Sequence, residues 1–256
     1  VTTDEPAQNT AAQVAALKSF KTRATVRTVF DRPSDGVTAA SYVSCLQEIS
    51  AVANVMGLLV DSSYMPNFTL AQIQSRVAEY VSALENHVSI WEVGNEINGN
   101  WLGSGVMAKI RAMYNYVKTA GKLAAVTFYY ENPATPGYDM IPWIDANIPV
   151  GDPMRAGLDY VWVSYYEDEN NGHQFTQAEL DTIFSALSAR FPNAKVGFGE
   201  CGWGGKVPTD AATRAALYKR FYGARVPTVS AFVGGCFFWE FAEFLTDSPA
   251  LNALGV

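Results

Sequence analysis

Charge is scarce in this chain. Only 17% of its 256 residues are Asp, Glu, Lys or Arg, and the acidic groups prevail to give a net charge of −7. Without clustered cations to displace counterions from phosphates, no nucleic-acid partner is expected. Histidine is rarer still. His87 precedes a predicted strand and His173 lies far along a loop, so neither is placed for a histidine-dependent triad. Three cysteines without close spacing give neither a zinc site nor a disulfide framework. Cys45 and Cys236 read as small core residues, and Cys201 has no neighbouring base to make it a nucleophile. Long apolar runs are missing as well. None approaches the roughly 20 residues that cross a bilayer, so no membrane partner is expected. No Gly-x-Gly-x-x-Gly follows a predicted strand, which disfavours a dinucleotide fold. Lys122 and Lys195 stand at strand beginnings, the wrong end for Schiff-base chemistry on a barrel. No cofactor and no metal are called for. The acidic run Asp168-Glu169-Asn170-Asn171 is chemically able to hold calcium, but such loops are ordinarily just solvated.

Apolar residues make up 49% of the chain, with 6 Trp and 13 Tyr among them, so a large core is available. No linker, repeat or low-complexity tract interrupts it. Residues 1–256 therefore read as one domain, acting as a monomer. A rhythm of apolar run, polar loop and amphipathic helix recurs from end to end. Strands are expected at 24–30, 55–60, 88–93, 123–128, 160–164, 195–200 and 232–239, with 1–3 as the candidate eighth. Helices are expected between them, for example 11–20 and 37–51. Thr69 is a plausible N-cap ahead of Leu70, Ile73, Val77, Val81 and Leu84, which form one helical face. Thr176 and Glu179 have capping-box spacing. Near-continuous apolar strands that alternate with helices are buried on both faces. Their number predicts a single, compact (β/α)8 barrel with short loops.

On such a barrel the C-terminal ends of the strands build the active site, and polar residues collect there: Asp31, Asp61, Glu96, Glu131, Tyr166, Glu200 and Glu240. Two stretches stand out. Trp91-Glu92-Val93-Gly94-Asn95-Glu96 is an apolar strand running into a carboxylate, then into Asn98-Gly99-Asn100-Trp101. Lys195-Val196-Gly197-Phe198-Gly199-Glu200 repeats the design and continues into Cys201-Gly202-Trp203. A pair of carboxylates at two strand ends is what glycosidic bond cleavage requires.

With these strand ends assembled, the chain resembles the clan of retaining glycoside hydrolases built on the (β/α)8 barrel. In that clan an Asn-Glu pair closes the fourth strand and a second Glu closes the seventh, matching Asn95-Glu96 and Glu200. Arg27 matches the arginine of its second strand, Ser164-Tyr165-Tyr166 its strand-six tyrosine motif, and Phe237-Phe238-Trp239-Glu240 its strand-eight aromatic motif. Val93-Gly94-Asn95-Glu96-Ile97, Ser164-Tyr165-Tyr166 and Phe238-Trp239-Glu240 are most similar to the endo-β-1,4-galactanase family. Glu200-Cys201-Gly202-Trp203 also looks like β-1,3-glucanase barrels. The chain departs from the galactanase pattern after strand three, where Asp61-Ser62-Ser63-Tyr64 replaces a His-Tyr-Ser-Asp phrase.

The resemblance implies endo-acting hydrolysis of a β-linked poly- or oligosaccharide (galactan, glucan, mannan or xylan) with retention. Glu96 is then the acid/base and Glu200 the nucleophile. Arg27 and Tyr166 would keep Glu200 ionised, unless a slip of parity turns Tyr165 inward instead, or Arg27 serves only to neutralise Glu92. Asn95 would meet the sugar 2-hydroxyl and Trp239 would floor the subsite at the scissile bond. Trp101 and Trp203 are candidate sugar platforms, and Asp61 is a candidate binding residue. A sugar-binding barrel without turnover is the alternative. Val1 onward shows no signal peptide, and a secreted, periplasmic or cell-surface location is inferred from the substrate class alone.

Overall fold

The computed structural model describes residues 1–32, 36–239 and 241–253. Eight parallel strands follow one another around a nearly closed barrel in sequence order: β1 (Thr2–Thr3), β2 (Thr25–Val29), β3 (Asn54–Leu58), β4 (Ile90–Gly94), β5 (Leu123–Tyr129), β6 (Tyr160–Tyr166), β7 (Lys195–Gly202) and β8 (Phe237–Phe238). The seam between the last and first strands is crossed by a hydrogen bond from Thr2 Oγ1 to the Phe237 carbonyl, 3.2 Å. The fold is thus a (β/α)8 barrel, with Thr2–Thr3 supplying the eighth strand.

The connecting helices are α1 (Thr10–Lys18), α2 (Val43–Val52), α3 (Leu70–Leu84), α4 (Val106–Thr119), α5 (Met140–Asn147), α6 (Pro153–Gly157), α7 (Gln177–Arg190) and α8 (Ala211–Gly223), with α9 (Ser248–Ala253) after the last strand. Local chemistry sets several of their starts. Thr69 and Gln72 close a full capping box at α3, and Thr176 and Glu179 close another at α7. Each satisfies two backbone groups that a helix end leaves unpaired. Asp210 caps α8 through the Thr213 amide. Of the loop expected at 31–36, residues 33–35 lie outside the described residues.

Most of the core lies between strands and helices, where Leu46, Ile49, Val55, Ile73, Trp91, Ile110, Phe184 and Leu187 are fully buried. A second, smaller cluster of Met56, Ile90, Ala125, Trp162 and Phe237 fills the barrel itself. The two clusters reflect the alternation of side chains along each strand.

The last strand corrects the sequence reading. Instead of a continuous run over 232–239, Phe232 makes one isolated bridge to Val196, and the ladder resumes only at Phe237–Phe238. Gly234 and Gly235 lie between. Gly235 has φ +86°, a conformation glycine adopts without steric cost, and it takes the chain out of the sheet.

Candidate active site

Two bulges aim the site. On β4, Glu92 pairs with Ala125 and Gly94 with Val126, so one extra residue is inserted in β4. On β7, Phe198 pairs with Val163 and Cys201 with Tyr165, so the extra residue is in β7. An inserted residue reverses the in–out alternation beyond it. Gly197 and Gly199 face the barrel interior, where a Cβ on either would press on Trp162. Strict alternation would then turn Glu200 outward and Cys201 inward. With the bulge, Glu200 faces the interior and the Cys201 thiol joins the outer core. On β4 the bulge lets both Glu92 and Asn95, three residues apart, face inward. The chain then turns sharply. Glu96 has φ +48°, a left-handed backbone that non-glycine residues seldom adopt and that tends to mark functional positions.

The two rim carboxylates keep different company. Glu200 accepts hydrogen bonds from Arg27 Nη1 at 2.7 Å and from the Tyr166 hydroxyl, a very short contact. Glu96 is held by two neutral hydroxyls, Ser62 Oγ at 2.9 Å and Ser164 Oγ at 2.6 Å. Both carboxyls are buried, which alone raises their pKa values because a charge is poorly solvated there. For Glu96, burial and then the negative charge of Glu200 push the value up to about 8, against the smaller opposing effect of the serine hydroxyls. For Glu200, burial is countered by Arg27 and by the Tyr166 hydrogen bond, and the value rises only to about 6. The first proton therefore leaves Glu200 while Glu96 keeps its own. The pair is poised as one ionised carboxylate and one neutral acid.

Beneath the rim, Arg27 is fully buried and reaches two carboxylates. Nε and Nη2 bind Glu92 at 2.6 and 3.3 Å while Nη1 binds Glu200. Arg27 thus touches both of the carboxylates considered for it, Glu92 and Glu200. Its guanidinium also lies 5.8 Å over the ring of the half-buried Trp239. Asn95 donates to Asp61 Oδ2 at 3.4 Å, and its buried side-chain oxygen has no protein partner. Asp61 itself caps the turn at Ser62–Asn67 through the Ser63 amide, which fixes Ser62 against Glu96.

Other predicted residues fall elsewhere. Tyr165 is not an inward residue. Its ring packs against Tyr130 and Phe175 in the outer core, and its hydroxyl donates to the His173 carbonyl. The reason is parity: Ser164 and Tyr166 take the inward positions on β6. Trp203 packs edge-on against Phe238, itself packed on Tyr218 of α8, on the outer side of the barrel wall. Trp101 stands at the rim, 39% exposed, edge-on to Tyr129. Glu240 lies outside the described residues. The acidic turn is a staple: Asp168 accepts from the Gly204 and Gly205 amides, and Glu169 accepts from Tyr129. Among the described residues, no group of three or more His, Cys, Asp and Glu is arranged to hold a metal ion.

Sequence reasoning gave no role to Ser62, to the hydroxyl of Ser164, or to Thr127, which donates to Glu92 at 2.5 Å. Asn98 was missed too. It accepts from the Tyr129 amide and donates to the Tyr129 and Tyr138 carbonyls, tying the loop after Glu96 to β5. The available signal for Ser62 was its place directly after Asp61 at a strand end.

No family model and no curated sequence matches the chain. Its structure is similar to a family 1 β-glucosidase from Thermotoga maritima, with 13% identity and a TM-score of 0.58, covering 91% of this chain and 77% of that one. It is also similar to an endo-β-1,3-glucanase of glycoside hydrolase family 128 from Amycolatopsis mediterranei, with 13% identity and a TM-score of 0.50, covering 80% and 84%. The carboxyl transferase domain of Rhizobium etli pyruvate carboxylase is similar as well, with 11% identity and a TM-score of 0.55, covering all of this chain and 44% of that one. Such distant likenesses, spread over unrelated chemistries, establish the barrel and leave function to the site.

Proposed function

We propose that this protein is a retaining glycoside hydrolase acting on a β-linked poly- or oligosaccharide. The observation that carries the hydrolase reading is the unequal pair at the rim, while retention rests on the resemblance of Asn95-Glu96 and Glu200 to the retaining clan. Glu200 is held by a cation and a phenol, Glu96 by neutral hydroxyls, and their proton affinities are split accordingly. A neutral Glu96 protonates the leaving oxygen while ionised Glu200 attacks the anomeric carbon. Glu96, now a carboxylate, then takes a proton from the water that releases the sugar. Breakdown of the first bond leaves negative charge on Glu96 and removes it from Glu200, so each group finishes the step with the affinity its partner requires. Asn95, with an unpaired buried acceptor beside Asp61, fits a sugar hydroxyl as its missing donor. Half-buried Trp239, directly after β8 and beside Arg27, supplies an apolar face for the sugar. Trp101, exposed after β4 and edge-on to Tyr129, offers a second aromatic face at the rim, which suits a substrate longer than one sugar.

The barrels that this fold is similar to include a β-glucosidase and an endo-β-1,3-glucanase, so the scaffold is compatible with this chemistry. A polymeric substrate of this kind would be met outside the cell. The test is a panel of aryl β-glycosides and β-glucan, galactan, mannan and xylan, with the first product's anomer followed by proton NMR. The expected result is turnover of at least one member with β product appearing first. No turnover across the panel would favour a sugar-binding barrel, and α product first would mean inversion.

A further inference from the structure

We propose that Glu92 is a positioning residue that aims Arg27 at Glu200 and shares its charge. Its catalytic consequence rests on the function proposed above; the coupling between the three side chains does not. Glu92 lies one layer below the rim and is fully buried. It takes the side edge of the guanidinium, through Nε at 2.6 Å and Nη2 at 3.3 Å. A guanidinium is planar and rigid, so fixing that edge also fixes where Nη1 points. Nη1 meets Glu200 at 2.7 Å. Glu92 is itself anchored by Thr127 Oγ1 at 2.5 Å, from the neighbouring strand. Arg27 has 1% side-chain exposure and Glu92 none, so water does not compete for these contacts.

Charge leads to the same role. With Glu200 ionised, one cation serves two carboxylates. A like charge raises a carboxyl's proton affinity, and Glu92 acts on Glu200 in that direction while Arg27 acts in the other. Alone with Glu200, Arg27 would form a neutral pair and weaken the carboxylate as a base and nucleophile. Shared with Glu92, it leaves Glu200 ionised yet still basic. A residue placed only to neutralise a buried arginine would not need its partner to reach the rim.

The experiment is a carboxyl-carbon NMR titration of the full chain labelled with ¹³C-glutamate, the Glu200 resonance being assigned by its loss in Glu200→Gln. The pH profile of kcat/KM is measured in parallel. Glu92→Gln removes the charge at constant length, so the Glu200 midpoint should fall by about one pH unit, and the acid limb of the profile should follow it. Glu92→Asp keeps the charge but shortens the arm. Its Glu200 midpoint should stay near the wild-type value while kcat drops about tenfold, as expected of a displaced positioning group. A Glu200 midpoint in Glu92→Gln equal to or above wild type would overturn the proposal. If that variant does not fold, Glu92→Asp decides, and wild-type kcat there overturns it equally. A wild type that hydrolyses no glycoside would refute the hydrolase reading alone, since the NMR titration still reports whether Glu92 governs Glu200.

Discussion

At the end of β4, a bulge and a left-handed residue bring Glu96 to the rim; at the end of β7, a bulge alone brings Glu200 there. The two side chains are equally sequestered, at 7% and 6% exposure. Burial therefore cannot tell them apart, and it acts on both in the same sense. What differs is the donors. Around Glu200 they are a guanidinium and a phenol, which favour the ionised form; around Glu96 they are aliphatic hydroxyls, which also serve as acceptors when the carboxyl carries its proton. The lesson is that two similar carboxyls on one scaffold acquire different proton affinities from their hydrogen-bonding and charged neighbours rather than from depth.

The hardest way to break this contrast is to delete each carboxyl. Glu200→Ala should reduce hydrolysis of every glycoside by on the order of 10⁶-fold, as loss of a nucleophile does in other hydrolases. Glu96→Ala should cost about 10²- to 10⁴-fold with natural leaving groups, yet spare the first step with dinitrophenyl glycosides. Burst kinetics check this, and equal losses with both substrate types in both variants would erase the contrast.

Tyr166→Phe sharpens the β7 side. It removes a donor to a charged oxygen, worth about 1.5–3 kcal/mol, so kcat/KM should fall roughly 10- to 150-fold. Because that hydrogen bond lowers the Glu200 pKa, the acid limb of the pH profile should move to higher pH. On the β4 side, Ser62→Ala and Ser164→Ala remove hydroxyls that lower the Glu96 pKa. Their alkaline limb should move upward, with activity down only about threefold to tenfold each, in line with a net hydrogen bond of about 1 kcal/mol.

The remaining effect is on stability rather than on activity. The folded-state pKa of Glu96 is raised to about 8 from an ordinary 4.5. Its protonated form therefore contributes stability fully below about pH 4.5, and that contribution is lost as pH rises through about 8. Glu96→Gln, which never charges, should gain on the order of 10 °C in Tm over wild type at pH 9 relative to the difference at pH 5. Thermal melts at the two pH values measure it.

The barrel was legible because it is written in patterns that repeat. Apolar strands and the Thr176–Glu179 box carry their own residue signatures, and the short opening strand followed from the count of the other seven. The strand ends holding Glu96 and Glu200 were legible for the same reason. Bulges are different. An inserted residue in β4 or β7 has no characteristic side chain, so which neighbours share a face with Glu200 could not be read from spacing. Tyr165 and Tyr166 were indistinguishable on that ground, and geometry separates them. The eighth strand was overextended because Phe232 and Val233 look like strand residues, while the break lies in the conformation of Gly235. Ser62 escaped because its role depends on a turn that Asp61 caps.

The division of labour between Glu96 and Glu200 is tested most directly by azide rescue of the two alanine variants, with the anomer of the glycosyl azide read by NMR. Azide is a small anion that needs no general base. In Glu96→Ala it should attack the accumulated glycosyl-enzyme from the face opposite Glu200 and release the β-glycosyl azide from a dinitrophenyl β-glycoside. In Glu200→Ala it should occupy the vacated nucleophile space and give the α-anomer from the same substrate. The reverse pairing of anomers, or no azide product from either variant, would contradict the assignment.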